Sequence, residues 1–445
     1  MNNLTEGKIS TTLLKFAIHF LFASLLQALY GAADLLVVGK FADSSGVSAV
    51  AIGSQVMQTI TGIILGISMG GTVLIGKKAG GKDEEGTAKA IGSLTILFIL
   101  FAVILTPLMM AATNGAIALM QTPAEAISYT RYYILICAAG IPFIIGYNAV
   151  GGIFRGLGDS RTPVYFVLIA CIINIFVDIL LVGTFHMGAK GAAIATVSSQ
   201  AVSFLSALIY MIKKGFSFPI QRRHFRLDGP SVRQILIVGF PLAMQDALVN
   251  VSFLVISTII NTMGLVASAA VGVVEKIIIF LMLPPTAFGS AVSAMTAQNI
   301  GAEKADRAKK ILRYGIIYSL SFGVAATLYC QIMPETLTGL FSNDVEVVHV
   351  AGLYLMSYSI DCIMVSFVFC MNGYFSGQGK SLISLVHSMI ATFGFRIPLT
   401  ILFSHMQGVS LRQLGFASPL ATLVSIMICT GYFAWENHKE KRKTK

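Results

Sequence analysis

The sequence predicts an all-α polytopic membrane protein, with twelve transmembrane helices in two six-helix lobes that form a parallel repeat. Three observations predict it. Hydrophobic residues make up 56% of the 445 and charged residues only 11%, which no soluble fold of this size needs. Apolar runs long enough to cross a bilayer recur along the whole chain. They exceed the length of barrel strands, and only helices or closed barrels satisfy the backbone in lipid. A glycine motif at 151–160 returns at 372–381, at an offset of 221.

The spans follow in order. The first, 11–38, is almost wholly apolar, and near its far end Asp34 stands in Leu29-Tyr30-Gly31-Ala32-Ala33-Asp34. It is too long for a signal peptide, and no small-residue cleavage pattern follows it. The second, 47–76, carries Gly62, Gly66 and Gly70 on one face, a close-packing pattern. Spans at 89–112 and 129–150 lead to the motif Gly156-Leu157-Gly158-Asp159-Ser160. Spans at 162–185 and 189–213 complete the first half. The stretch 214–231 is the longest connection and the natural linker. It reads as a plain polar loop, with contact to anionic lipid as the alternative use of its basic run. The second half holds spans at 232–262, 266–298, 311–333, 347–371, 380–403 and 411–435. The domains are therefore a lobe at 1–213, a linker at 214–231, a lobe at 232–435 and a basic tail at 436–445.

Two motifs share the offset without a gap: Gly80 meets Gly301, and Gly152-Ile153-Phe154-Arg155-Gly156 meets Gly373-Tyr374-Phe375-Ser376-Gly377. Six spans per half is an even number, so both halves start on the same face. They form a parallel repeat, the kind of transporter that binds near the midplane and opens its site alternately. Of the 31 Lys and Arg, 25 fall on one side of the predicted membrane and 4 on the other, with Lys276 and Arg396 inside spans. The positive-inside rule then puts both termini in the cytoplasm, of a multi-pass protein in the cell membrane. It also explains the net charge of +11 without nucleic acid as a partner. The six cysteines lie in apolar segments without metal-ligand spacing and read as small core residues.

A charge inside a lipid-spanning helix costs roughly 2.5–3.5 kcal/mol, so such residues face a cavity or a partner. Asn174 and Asp178 are four apart on one helix face. Thr196 follows Gly191-Ala192-Ala193 by one turn. With Asp34 these give two carboxylates, an amide and a hydroxyl, with the Ala192 carbonyl as a further candidate. Hard oxygen ligands of that kind suit Na⁺ or a shared proton. The second half adds Asp246, Glu275, Asp361 and Arg396. Two uses stay open for them: structural ion pairs, such as Glu275 or Asp246 with Arg396, or a proton or cationic-substrate site. His19, His387 and His405 read as satisfied core groups, and the methionines and phenylalanines as packing surface.

On these residues the chain resembles the multidrug and toxic compound extrusion (MATE) family. The resemblance covers all twelve spans. It rests on Asp34, Gly-Leu-Gly-Asp-Ser at 156–160, Asn174-x-x-x-Asp178, Ala-Gln-Asn-Ile-Gly-Ala at 297–302 and the internal repeat. It implies cation-driven antiport that exports small organic, often cationic or amphipathic, compounds, with no cofactor beyond the coupling ion Na⁺ or H⁺. It also implies a monomer, and it places Asp34, Asn174, Asp178, Ala192 and Thr196 on the family's amino-terminal cation site. The chain departs from the family in three places. His19-Phe20 stands where helix one usually has a proline. Val249 and Val365 stand where the NorM-type branch has acids, with Asp246 and Asp361 about one turn earlier. Glu275 has no counterpart in that branch. A lipid-linked saccharide flippase of the same superfamily is the alternative; it needs a basic groove, for which only Lys276 and Arg396 are available. No metalloprotease, nucleophile-elbow or Walker motif supports an enzyme.

Overall fold

The structure is a computed structural model that describes residues 3–406 and 410–443. Among these, eleven helices are long and apolar enough to cross a bilayer, and a pair bent by 46° supplies the twelfth span. In chain order they are α1 (Ile9–Phe41), α2 (Ser44–Gly80), α3 (Glu84–Leu119), α4 (Ala124–Ala139 with Ile141–Gly156), α5 (Arg161–Thr184) and α6 (Gly188–Lys214). Then come α7 (Gly229–Asn261), α8 (Leu265–Gly301), α9 (Ala305–Ile332), α10 (Val345–Gln378), α11 (Leu382–Ser404) and α12 (Leu411–Arg442). The bend in α4 falls at Gly140-Ile141-Pro142, where the proline ring interrupts the hydrogen-bond ladder. Of the expected tail at 436–445, Thr444 and Lys445 lie outside the described residues; the last helix runs on as far as Lys443.

Aspartates start many of these helices. Asp43 accepts a hydrogen bond from the Gly46 amide at 2.9 Å, Asp83 from Gly86 at 2.8 Å, Asp159 from Thr162 at 3.0 Å and Asp228 from Ser231 at 3.0 Å. Each satisfies an orphan amide and places negative charge at the positive end of a helix. Much of the acid outside the apolar stretches is spent in this way.

The chain folds as two compact units. One comprises Met1–Glu6, Ile18–Ala243 and Ala297–Glu303; the other comprises Gly7–Ala17, Met244–Thr296 and Lys304–Lys445. In the first, Ile75, Ile91, Leu94, Tyr133 and Ile141 are among the buried residues of the main core. In the second, Val274, Tyr354, Leu355 and Leu414 take that role. The segment between α6 and α7 is folded onto the first unit. Phe218 enters its core, and the Ser93 hydroxyl of α3 donates to the Arg226 carbonyl at 3.1 Å.

The repeat is written into the packing. A Cβ on Gly152 would sit closer than 3.0 Å to Ser68, and one on Gly373 would meet Gly289, the repeat counterpart of Ser68. A Cβ on Gly156 would press on Thr72 and Ile75; one on Gly377 would press on their counterparts Ser293 and Thr296. The same helix crossing is therefore built twice, and in both copies only glycine lets the backbones approach. The left-handed residues match too: Gly158 and Gly379 both have φ 83, and Lys82 and Glu303 have φ 56 and 59.

Candidate functional site

Asp34 lies near the end of α1 and is 5% exposed, while Asn174 and Asp178 on α5 are 0% exposed. Immediately after Asp178 the helix widens into π-type turns over Ile179–Thr184, a distortion found often at functional sites. The chain then reverses tightly into α6. Gly191 is needed there, because a Cβ would press on Val182 and on the Leu181 backbone. This reversal brings α6 against α5. Ala192 is fully buried in the turn before Thr196.

The Thr196 hydroxyl donates to Asp34 Oδ2 at 3.0 Å. Asp178 and Asn174 also lie beside the Asp34 carboxyl. The structure thus brings Asp34, Asn174, Asp178 and Thr196 together. Asp34 Oδ1, both Asp178 oxygens and both amide atoms of Asn174 are buried without a hydrogen-bond partner. Among the described residues, no Lys, Arg or His pairs with either acid. Two adjacent buried carboxylates with one hydroxyl donor between them and no counter-charge are untenable as two bare anions. Such a cluster needs a proton or a cation.

Further residues frame the cluster. The Gln200 amide donates to the Tyr30 hydroxyl at 3.1 Å, and Tyr133 lies against Thr196 and Cys137. Sequence reasoning missed Tyr30, Tyr133 and Gln200. For Tyr133 a signal existed: Tyr354 stands at the repeat offset in the second half.

Of the two uses left open for the charges of the second unit, the ion pairs with Arg396 are not formed. Among the described residues no salt bridge joins Asp246, Glu275 or Asp361 to Arg396. Arg396 Nη2 instead donates to the Tyr358 hydroxyl at 3.2 Å, and the guanidinium lies 4.5 Å from the centre of the Phe253 ring. Glu275 accepts from the Ser257 hydroxyl at 2.9 Å, and Asp361, 3% exposed, accepts from Ser418 at 2.8 Å. Asp246 and Lys276 are exposed. Hydroxyls and aromatic rings have taken the places where pairing was expected. His387 is a satisfied core group, 2.7 Å from Asn372 Oδ1 and 3.1 Å from Ser425. His19 meets Ser160 at 3.1 Å. All six cysteines are buried and unbridged.

A family model described as MatE matches residues 20–180 and 241–402. The chain belongs to the MatE family. The two matched stretches begin at 20 and 241, the same offset as the glycine motif. MatE proteins are transporters, so the chain is a multi-pass membrane transporter and not an enzyme. It is 28% identical to the probable multidrug resistance protein YoeA of Bacillus subtilis (strain 168), over 96% of this chain and 94% of that one. It is 23% identical to the multidrug export protein MepA of Staphylococcus saprophyticus, over 95% of this chain and 94% of that one. Its fold is that of a multidrug resistance MATE family transporter of the MOP superfamily solved in an outward-facing conformation. The TM-score is 0.92 at 21% identity, covering 99% of this chain and 98% of the other. None of these relatives is named a flippase, and of the two bases the sequence offered for a basic groove, Lys276 is exposed and Arg396 is engaged by Tyr358 and Phe253.

Proposed function

We propose that this MatE protein is a secondary active antiporter in the cell membrane. It exports small organic compounds, cationic or amphipathic, in exchange for Na⁺ or H⁺. It needs no cofactor beyond that ion, works as a monomer and keeps both termini in the cytoplasm. Asp34 and Asp178 hold the coupling cation, with Asn174, Thr196 and the Ala192 carbonyl as supporting ligands. The observation that carries this reading is the set of buried, unpartnered oxygens on α1 and α5. A cation or proton there cancels one of the two charges, relieves the repulsion and draws α1 toward α5; its departure leaves the acids in repulsion and loosens α1. Since α1 has no proline between Ile9 and Phe41, this movement uses no proline bend. Relatives named for multidrug resistance and for multidrug export support an organic solute as the cargo.

The test is export of a fluorescent organic cation from proteoliposomes, with Na⁺ and pH gradients imposed separately. One gradient should drive export by the wild type. Asp34→Asn and Asp178→Asn should each lose it by at least about tenfold, the scale on which 1.4 kcal/mol of lost ion binding is felt. Full gradient-driven export by both variants contradicts the proposal.

A further inference from the structure

The second unit contains the internal duplicate of the cation cluster. The family match starts at 20 and 241 and ends at 180 and 402, so the offset is 221 at the start and 222 at the end. At 221, Tyr133 maps onto Tyr354, and both are buried. Carried on past the ends of the matched stretches, an offset of 222 sets Thr196 opposite Ser418, and each hydroxyl donates to a buried aspartate: Thr196 to Asp34 at 3.0 Å, Ser418 to Asp361 at 2.8 Å. The same offset maps Asn174 onto Arg396. Two members of the cluster's surroundings, a buried tyrosine and a hydroxyl that donates to a buried aspartate, are thus present again.

Its charges are arranged differently. Asp34 maps onto Val255 and Asp178 onto Thr400, so neither original acid has an acidic counterpart. The carboxylates of the second cluster come from other helices: Asp361 from α10 and Glu275 from α8. Arg396 acts electrostatically on both, yet touches neither within salt-bridge distance. A guanidinium is always charged and cannot leave. It is anchored by Tyr358 and by the Phe253 ring, two positions from Val255. Asp361 Oδ1 remains buried without a hydrogen-bond partner, and Thr422, Ser418 and the Arg396 charge are the groups that favour its ionised form.

We propose that Arg396 is a tethered cation that stands in for the exchangeable ion in the duplicated site. This rests on the reading of the first cluster as a cation site. It gives the acids of the second unit one permanent positive charge, the charge an exchangeable ion would bring, so that ion is bound in one copy of the repeat only.

The experiment uses the full chain in proteoliposomes, with a fluorescent organic cation as solute and guanidinium ion as the rescuing probe. Arg396→Ala should reduce export at least about tenfold, because it leaves buried carboxylates uncompensated. Millimolar guanidinium should restore several-fold of that loss, and should leave the wild type unchanged. Export at the wild-type level in Arg396→Ala overturns the proposal, as does a folded variant whose defect guanidinium does not relieve. If Arg396→Ala fails to fold, the probe is the melting temperature of Arg396→Gln, read with and without guanidinium. A rise specific to the variant supports the tethered cation; no rise overturns it. Rescue reads the second unit by itself. Failure of the first-cluster reading would show separately, as coupled export retained by Asp34→Asn.

Discussion

Asp178 is fully buried with neither oxygen hydrogen-bonded, whereas Asp34 has one oxygen engaged by Thr196. Removing the charge of Asp178 therefore relieves the fold and harms only ion binding. We expect purified Asp178→Asn to melt no lower than the wild type in the absence of coupling ion, while losing gradient-driven export. A variant that melts well below the wild type would mean that the acid is structural. Asp34, Asn174 and Asp178 were legible in the sequence because polar groups in an apolar run are anomalies with few innocent explanations. Tyr30, Tyr133 and Gln200 were not, because a tyrosine or glutamine has many ordinary places in a membrane helix. The pairing expected for Arg396 failed for another reason: charge count says that buried charges need compensation, but not whether a carboxylate, a hydroxyl or a ring supplies it.

Helix ends carry their own chemistry. Burial pushes the Asp159 carboxyl up, but hydrogen bonds from Thr162 and Arg161 and the nearby Lys214 ammonium hold it below the usual carboxylate range. Hydrogen bonding to Lys78 does the same for Asp83. Groups with depressed values stabilise the fold above about pH 3.9, the unfolded value for Asp, and the gain is lost as pH falls through the folded value. The melting temperature should therefore hold from neutral pH into mild acid, then fall. Asp159→Asn should blunt that fall, and an unchanged acid limb would contradict the assignment. Asp159→Ala should cost about 0.5–2 kcal/mol as a lost helix cap, read by thermal melting.

The same position is used twice with opposite sign. Asp159 pairs with Lys214 at 3.5 Å in the first unit, and Lys380, the repeat counterpart of Asp159, pairs with Glu436 in the second. Hydropathy found the apolar part of α12 but not its polar extension, because Glu436 and Glu440 are fixed by Lys380 and Lys309 and not by lipid. The bend in α4 was likewise missed, although Gly140 and Pro142 were visible. At the twin glycine crossings, Gly373→Ala should destabilise by about 1–3 kcal/mol, since the new methyl meets the Gly289 backbone. A neutral result would mean that the crossing yields more readily than two packed backbones allow.

The whole molecule is one six-helix plan used twice, and that much was readable from a single offset. Glycine spacing survives duplication because backbone approach tolerates nothing larger, as at Gly156 and Gly377. Chemistry diverges more freely: in one unit Asp34 and Asp178 pair with no base, and in the other Arg396 is held by Tyr358 and Phe253 while Glu275 and Asp361 accept from Ser257 and Ser418. That divergence needs three-dimensional placement to be seen, since Glu275 and Asp361 reach their cluster from helices whose counterparts in the first unit do not supply its acids.

The central claim is that the Asp34 and Asp178 pair holds one positive ion. Anything that binds the native state stabilises it in proportion to its occupancy. The most direct test is the melting temperature of the purified protein, titrated with Na⁺ at fixed pH and with protons at fixed Na⁺, beside the double variant Asp34→Asn/Asp178→Asn. The account predicts a saturable, ion-dependent rise in the wild type that the double variant lacks. An equal rise in both proteins would contradict it.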